Sequence, residues 1–249
     1  MEAFVPASGP IGSSSLLPRR ISSTGMMLAG SRTPSGPHEE AELNGVFRTE
    51  SFRDNAEIVR PGDATERAFV IKSGRVRLLR EGPGGSRAVT AILHAGDLFG
   101  DLFRPADPLA VAAGPVELWC LDARDLQAQL HARPGIATQL LRAYSERARA
   151  LHRRVWGLTC KDVPARLAEM LLMMAEAHGE RCPHGGEVDV RGVTQQDFAD
   201  LVGASRSFVS TLINEMKRRG HLGNVGRVLC IRDRLALERA SQTRRALDA

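Results

Sequence analysis

No stretch of this sequence approaches the roughly 18 consecutive apolar residues that span a bilayer, so an ordinary membrane-spanning helix is excluded. Arg19 and Arg20 precede Ile21-Ser22-Ser23-Thr24-Gly25-Met26-Met27-Leu28, but Ser, Thr and Gly break that run and make it a poor secretory leader. A soluble, cytoplasmic protein with no membrane partner is expected. Cysteine is sparse too. Cys120, Cys160, Cys182 and Cys230 are scattered with no CxxC pair, and a chain of 249 residues does not need them as staples. Reduced thiols are expected. His178, Cys182 and His184 form an H-x3-C-x-H group. No fourth ligand is near them, so a solvated loop is expected and no metal. There is also no nucleophile with a partnered base, no pair of facing carboxylates and no phosphate-cradling glycine loop. An enzyme is therefore the least supported class, and no cofactor is expected.

What is present divides into segments. Apolar residues make up 43%, enough for most of the chain to fold, and the net charge of +5 suits a polyanionic partner without establishing one. Residues 1–42 are rich in Ser, Gly and Pro, as in Gly9-Pro10-Ile11-Gly12-Ser13-Ser14-Ser15. They bury too little apolar surface to offset their ordering entropy and predict a disordered arm. Residues 43–133 carry short β-type runs separated by turn signals. Six strands are expected, at 57–60, 68–71, 75–79, 88–93, 109–112 and 116–121, in an antiparallel barrel or sandwich.

Residues 134–160 predict one long helix, with Pro134 suited to its first position. Leu141, Tyr144, Ala148, Leu151, Val155 and Leu158 alternate by three and four, the spacing of a coiled-coil seam. Such a seam either joins two copies or packs on the strands, and its length favours a dimer. Residues 161–240 are helical again, opening with an amphipathic helix over 165–177 whose methionines read as core. Residues 241–249 form a tail.

Within 161–240 lies the pattern that carries function. Thr194 with Asp197 three residues on predicts a capped short helix to Val202, Gly203-Ala204 a turn, and Ser205 the cap of a second helix. Phe198, Leu201, Val202, Val209, Ile213 and Met216 supply the apolar contacts of a helix-turn-helix. The second helix would offer Arg206, Ser207, Ser210 and Thr211 to base edges in a major groove. Thr194, Gln195, Gln196 and Ser205 sit at helix starts suited to phosphate, with Lys217 beyond them. His221-Leu222 and Val228–Ile231 around Gly223–Arg227 predict a wing, with Arg227 toward a phosphate.

Several landmarks come in order: Pro61-Gly62-Asp63, Phe69 to Val76, Ala95-Gly96-Asp97-Leu98-Phe99-Gly100-Asp101, the long helix, Asp162-Val163-Pro164-Ala165-Arg166-Leu167, and Thr194 to Arg206. From about residue 45 to 235 the chain resembles the CRP/FNR family of bacterial transcription regulators. The resemblance implies an α+β architecture: a cyclic-nucleotide-binding-type β-roll, a dimerisation helix and a C-terminal winged helix-turn-helix. It also implies a homodimer on palindromic double-stranded DNA with half-sites one helical turn apart, acting as activator or repressor through RNA polymerase.

Departures qualify what is implied. Family members that bind cyclic AMP carry an Arg-Ser pair for its phosphate. Here Phe99-Gly100-Asp101-Leu102 runs into Phe103-Arg104-Pro105 without that pair. The adenine-binding place on the dimer helix matches Leu151-His152. A regulator that is not cyclic-AMP dependent is expected, with Gly100, Asp101 and Leu102 marking a vestigial or altered effector pocket. Gating by another nucleotide, a redox signal or a metal, or a ligand-binding signalling module contacting protein, are the alternatives. In the recognition helix the opening Arg206 is kept, whereas Ser207 and Thr211 replace the family's usual Glu and Arg, so the preferred DNA sequence should differ.

Overall fold

The computed structural model describes residues 47–63, 66–104, 107–132, 135–178, 193–225 and 228–243. The arm at 1–42, the side chain of His178, Cys182, His184, Arg227 and residues 244–249 lie outside them.

The first half is a roll of two four-stranded antiparallel sheets. One has the order β1-β8-β3-β6 and the other β2-β7-β4-β5. Their strands are β1 (Arg48–Phe52), β2 (Glu57–Val59), β3 (Arg67–Ser73), β4 (Arg75–Glu81), β5 (Arg87–His94), β6 (Leu98–Asp101), β7 (Leu109–Ala112) and β8 (Val116–Asp122). Alternation explains how they pack. In β4, Val76 and Leu78 are buried while Arg75 and Arg77, which alternate with them, are only half-buried. Phe69, Ile71, Val76, Leu93, Val116 and Leu118 fill the space between the sheets, and the Phe69 and Phe99 rings stack at 5.0 Å.

All six expected strands are present, and β1 and β6 are additional. β1, with the sequence RTESF, is polar apart from its last residue and among the described residues pairs only with β8, so it shows no apolar alternation. β6 is four residues long and ends beside Gly100, whose φ of +88° takes it out of the usual strand region. A Cβ at Gly100 would stand 2.3 Å from the Arg67 carbonyl, so β3 approaches where only glycine fits.

The second half is helical: α1 (Ala123–Ala132), α2 (Gly135–Cys160), α3 (Val163–His178), α4 (Gln195–Val202), α5 (Arg206–Arg218) and α6 (Arg234–Ser241), with a hairpin of β9 (Leu222–Val225) and β10 (Val228–Ile231). Leu167, Leu171, Phe198, Val209, Ile213, Leu222, Ile231 and Leu237 form its core. α6 is a helix the sequence reading did not expect. Asp233 caps it by accepting from Ala236 N, and buried Leu237 ties it to α3.

One cysteine departs from expectation. Cys120 and Cys160 are free, and burial pushes the Cys120 thiol up to about 12. Cys230, fully buried in β10, is disulfide-bonded. Scatter along the chain carries no information about which thiols meet in space, so the expectation of four reduced thiols fails there.

Gly203 ends α4 with φ +65°, its N–H turned back to the Asp200 carbonyl, and a Cβ there would reach Leu158 Cδ2 of α2 at 3.0 Å. Gly203→Ala therefore meets both a left-handed backbone and a tight contact. It is expected to lower unfolding free energy by about 1 to 2 kcal/mol, measured by urea denaturation.

Candidate nucleic-acid interface

The two helices of the predicted reading motif form as their sequence dictates. Thr194 Oγ1 accepts from Asp197 N at 3.1 Å while Asp197 Oδ2 accepts from Thr194 N at 2.7 Å, completing the reciprocal cap. Ser205 Oγ accepts from Phe208 N at 3.2 Å and starts α5. Val209, Ile213 and Met216 bury one face of α5. The opposite face exposes Arg206, Ser207 and Thr211, with Ser210 half-buried at its edge. The four expected base-reading residues thus share one end of one helix. Thr211 Oγ1 donates to the Ser207 carbonyl at 3.0 Å, so part of its hydrogen-bonding capacity is spent inside the helix. Asn214 is exposed one turn further along the same face. Sequence reasoning missed it, although its i+7 spacing from Ser207 was the available signal. Thr194, Gln196 and Ser205 lie near the start of one or other helix; Thr194 and Gln196 are exposed, Gln195 and Lys217 half-buried.

The motif docks on the roll through charges that the sequence did not pair. Arg77 Nε of β4 meets Asp197 Oδ2 at 3.1 Å, both side chains largely buried. Strand β5 lies at its sheet edge and is irregular beside Thr90, where the partners of Leu78 and Leu79 are Ala91 and Val89. A bulge frees backbone groups. Val89 N is taken by Asp200 Oδ2 at 2.9 Å, and the Thr90 carbonyl by Arg154 of α2, which also donates to the Asp200 carbonyl at 3.3 Å. Arg154 thus ties roll, long helix and reading motif together.

The long helix has two faces. Leu140 and Ala143 pack against the roll cluster of Phe47, Trp119 and Leu121. Leu141, Tyr144, Ala148, Leu151, Val155 and Leu158 are all exposed, with Leu141 72% and Val155 62% accessible. Tyr144 also borders the roll, and Leu151 and Leu158 border a space walled by β5, whereas Leu141 and Val155 are the most open positions of the seam.

A cavity of about 80 Å3 opens in the roll beneath α2, lined by Val59, Leu78, Leu98, Phe99, Gly100, Asp107, Pro108, Tyr144 and Arg147. Of the three residues assigned to an effector pocket, Gly100 lines it. Asp101 instead accepts from Phe103 N, and Leu102 is buried in the adjoining cluster with Trp119. Leu151 and His152 do not face it; α2 contributes Tyr144 and Arg147, one to two turns earlier. The mismatch arises because helix register across a packed interface depends on crossing geometry, which motif order does not fix. Arg147 is the functional candidate that sequence reasoning overlooked. Burial lowers its pKa, opposed by the charges of Asp97 and Tyr144. Arg104 is exposed and absent from the lining.

Residues 49–133 match the cyclic nucleotide-binding domain model and residues 165–240 the Crp-like helix-turn-helix domain model. The CRP-like cAMP-activated global transcriptional regulator of Mycobacterium tuberculosis is 30% identical over 211 residues, which cover 83% of this chain and 93% of that protein. This chain belongs to the CRP/FNR family of transcription regulators. The global nitrogen regulator of Nostoc sp. is 28% identical over 176 residues, 68% of this chain and 78% of that protein. Among solved structures, a CooA mutant from Carboxydothermus hydrogenoformans superposes with TM-score 0.67 at 28% identity, covering 81% of this chain and 90% of that one. FixK2 from Bradyrhizobium japonicum gives 0.68 at 22% identity, covering 80% and 98%, a likeness of fold. As a CRP/FNR regulator the chain is a DNA-binding protein of a non-enzymatic family, with the expected roll, long helix and helix-turn-helix domain.

One group in this CRP/FNR roll titrates where it is easily measured. Asp97, in the turn between β5 and β6, accepts from His94 N at 2.8 Å. Burial pushes its carboxyl up to about 7; the His94 hydrogen bond and the Arg147 charge oppose the shift. Between about pH 4 and 7 the folded chain keeps a proton that the unfolded chain has released. That contribution is complete below the unfolded value and is lost as pH rises through 7. Asp97→Asn keeps an acceptor and removes the titration. It is expected to match the parent near pH 4.5 and to exceed it at pH 8 by up to about 4 kcal/mol, read from urea denaturation at both pH values.

Proposed function

We propose that this regulator is a homodimer that reads a two-fold symmetric DNA site without cyclic AMP as its effector. Arg206, Ser207, Ser210 and Thr211 are assigned to base edges. Thr194, Gln195, Gln196, Ser205, Lys217 and Arg227 are assigned to phosphates. Leu141, Tyr144, Ala148, Leu151, Val155 and Leu158 are assigned to the dimer seam. The observation that carries this reading is an exposed polar face on α5 in the same chain as an uncovered apolar seam on α2. Dimers are also the usual state of the family.

The pocket supports the negative part. In the segment just after Asp101, the described residues bring no guanidinium to the pocket, since Arg104 is exposed and outside the lining, and Arg80 is engaged with Asp107 at 2.7 Å. The Mycobacterium tuberculosis relative is described as cAMP-activated, so cyclic AMP is the ligand to test. Arg147 and Tyr144 favour a second reading, in which a different effector enters this pocket. Regulation is assigned to the cytoplasm and to contact with RNA polymerase at the bound promoter. Within the family, the Ser-rich arm and the altered pocket further suggest a likeness to the developmental regulator MrpC.

Selection of binding sites from fragmented genomic DNA by the purified protein tests the reading. A palindromic site enriched equally with and without cyclic AMP is expected. Enrichment of no site in any condition sinks the assignment of the reading residues. A site that sharpens only with cyclic AMP overturns the pocket argument.

A further inference from the structure

A second cavity, of about 150 Å3, lies behind the docked reading motif. It is a different space from the roll pocket, although Leu98 and Arg147 border both. Strand β5 and the turn into β6 close one side, α2 another, and α3 with the end of α4 the third. Its apolar wall includes Leu93, Leu98, Met170, Met173, Met174 and Leu201. An apolar space of this volume holds one benzene-sized molecule, and methionines adapt to the shape of an occupant.

The charged groups on the lining differ in what they already hold. Arg154 donates to the Thr90 and Asp200 carbonyls, and Arg166 to the Val202 and Lys161 carbonyls. Glu169 is ion-paired with Lys161 at 3.0 Å. Asp97 accepts from His94 N, and its burial favours the protonated form. Arg153 differs from these. Its Nε is buried and meets no hydrogen-bond acceptor among the described residues. Burial lowers its pKa, with the Glu169 charge opposing. A buried donor without an acceptor is rare in a folded chain, and a guanidinium fits a carboxylate best.

We propose that this cavity is an effector site for a small, mostly apolar carboxylic acid, of one aromatic ring or a short branched chain, whose carboxylate takes the Arg153 guanidinium. The proposal rests on the DNA-binding reading and adds a ligand class to it. Thr90 and Arg154, two members of the tie between roll, α2 and α4, lie on the cavity wall. An occupant there bears on how the reading motif sits against the roll. Leu151 and Leu158 belong both to the wall and to the seam, which links occupancy to the dimer.

The test is calorimetric titration of the full-length protein with benzoate, 3-methylbutanoate and the uncharged benzamide. At least one acid is expected to bind saturably below about 1 mM, and benzamide at least tenfold more weakly than benzoate. Arg153→Gln should weaken the acid at least tenfold and leave benzamide unchanged. Met173→Trp, which fills the cavity, should abolish binding of all three, with circular dichroism confirming that both variants fold. No saturable binding by either acid overturns the proposal, as would arise if the partner's side chains fill the space. Acid binding unaffected by Arg153→Gln also overturns it. Fluorescence anisotropy on the selected DNA, run in parallel, separates the two readings: acid binding without any DNA binding sinks the regulator reading and leaves the cavity site standing.

Discussion

Leu141→Glu together with Val155→Glu is expected to leave a folded monomer that binds an isolated half-site and a full palindrome with nearly equal affinity. Both side chains are largely exposed in the single chain, at 72% and 62%, so replacing them removes little packing within the protomer. In a two-fold pairing of α2 each would be buried, and burial of one such side chain contributes about 1.5 to 3 kcal/mol. Four are lost per dimer, and four carboxylates are brought into the seam instead. Linking two reading heads raises affinity by about 10² to 10⁴ over one head, and the palindrome affinity should fall by a factor in that range. Light scattering coupled to gel filtration reads the mass, and anisotropy on half-site and full-site duplexes reads the binding. A variant that stays dimeric at micromolar concentration means the two copies meet elsewhere. Leu140 and Ala143 on the opposite face pack on the roll, so Ala143→Glu should damage folding rather than assembly alone.

The second large effect concerns Arg206. Arg206→Ala is expected to erase preference at one base position of each half-site, costing about 1 to 3 kcal/mol at the matched base. The residue opens α5, is exposed, and has no hydrogen bond or ion pair of its own among those described, so its guanidinium is available for a guanine edge. Lys217→Ala gives the contrast: it should weaken all sequences about equally and flatten the salt dependence. Repeating the site selection with both variants separates the two. Uniform weakening by Arg206→Ala would assign that arginine to phosphate. Asn214, on the same exposed stripe, is the natural next substitution, since an amide can pair with adenine.

The divide between what was legible in the residues and what was not follows the range of the forces involved. The cap pairs Thr194–Asp197 and Ser205–Phe208 are local, spanning three residues, and their side-chain chemistry dictates them wherever the chain goes. The two faces of α5 and the six regular strands follow from periodicities of 3.6 and 2. β1 and α6 escaped because a polar edge strand and a short polar helix are held by neighbours distant in sequence: β8 for the first, Glu176 and the α3 core for the second.

By itself, then, the sequence determined the order of the elements, the reading face of α5 and the existence of an apolar seam on α2. Each depends on side chains a few residues apart. Only the tertiary structure decided that Leu141 and Val155 of the seam stay largely uncovered, that Tyr144 and Arg147 rather than Leu151 and His152 line the roll pocket, and that Arg77 and Arg154 fasten the helix-turn-helix to the β-sheet. Those contacts join residues tens of positions apart. The crossing of packed elements sets which partners meet, and a linear pattern of residues carries no measure of that angle.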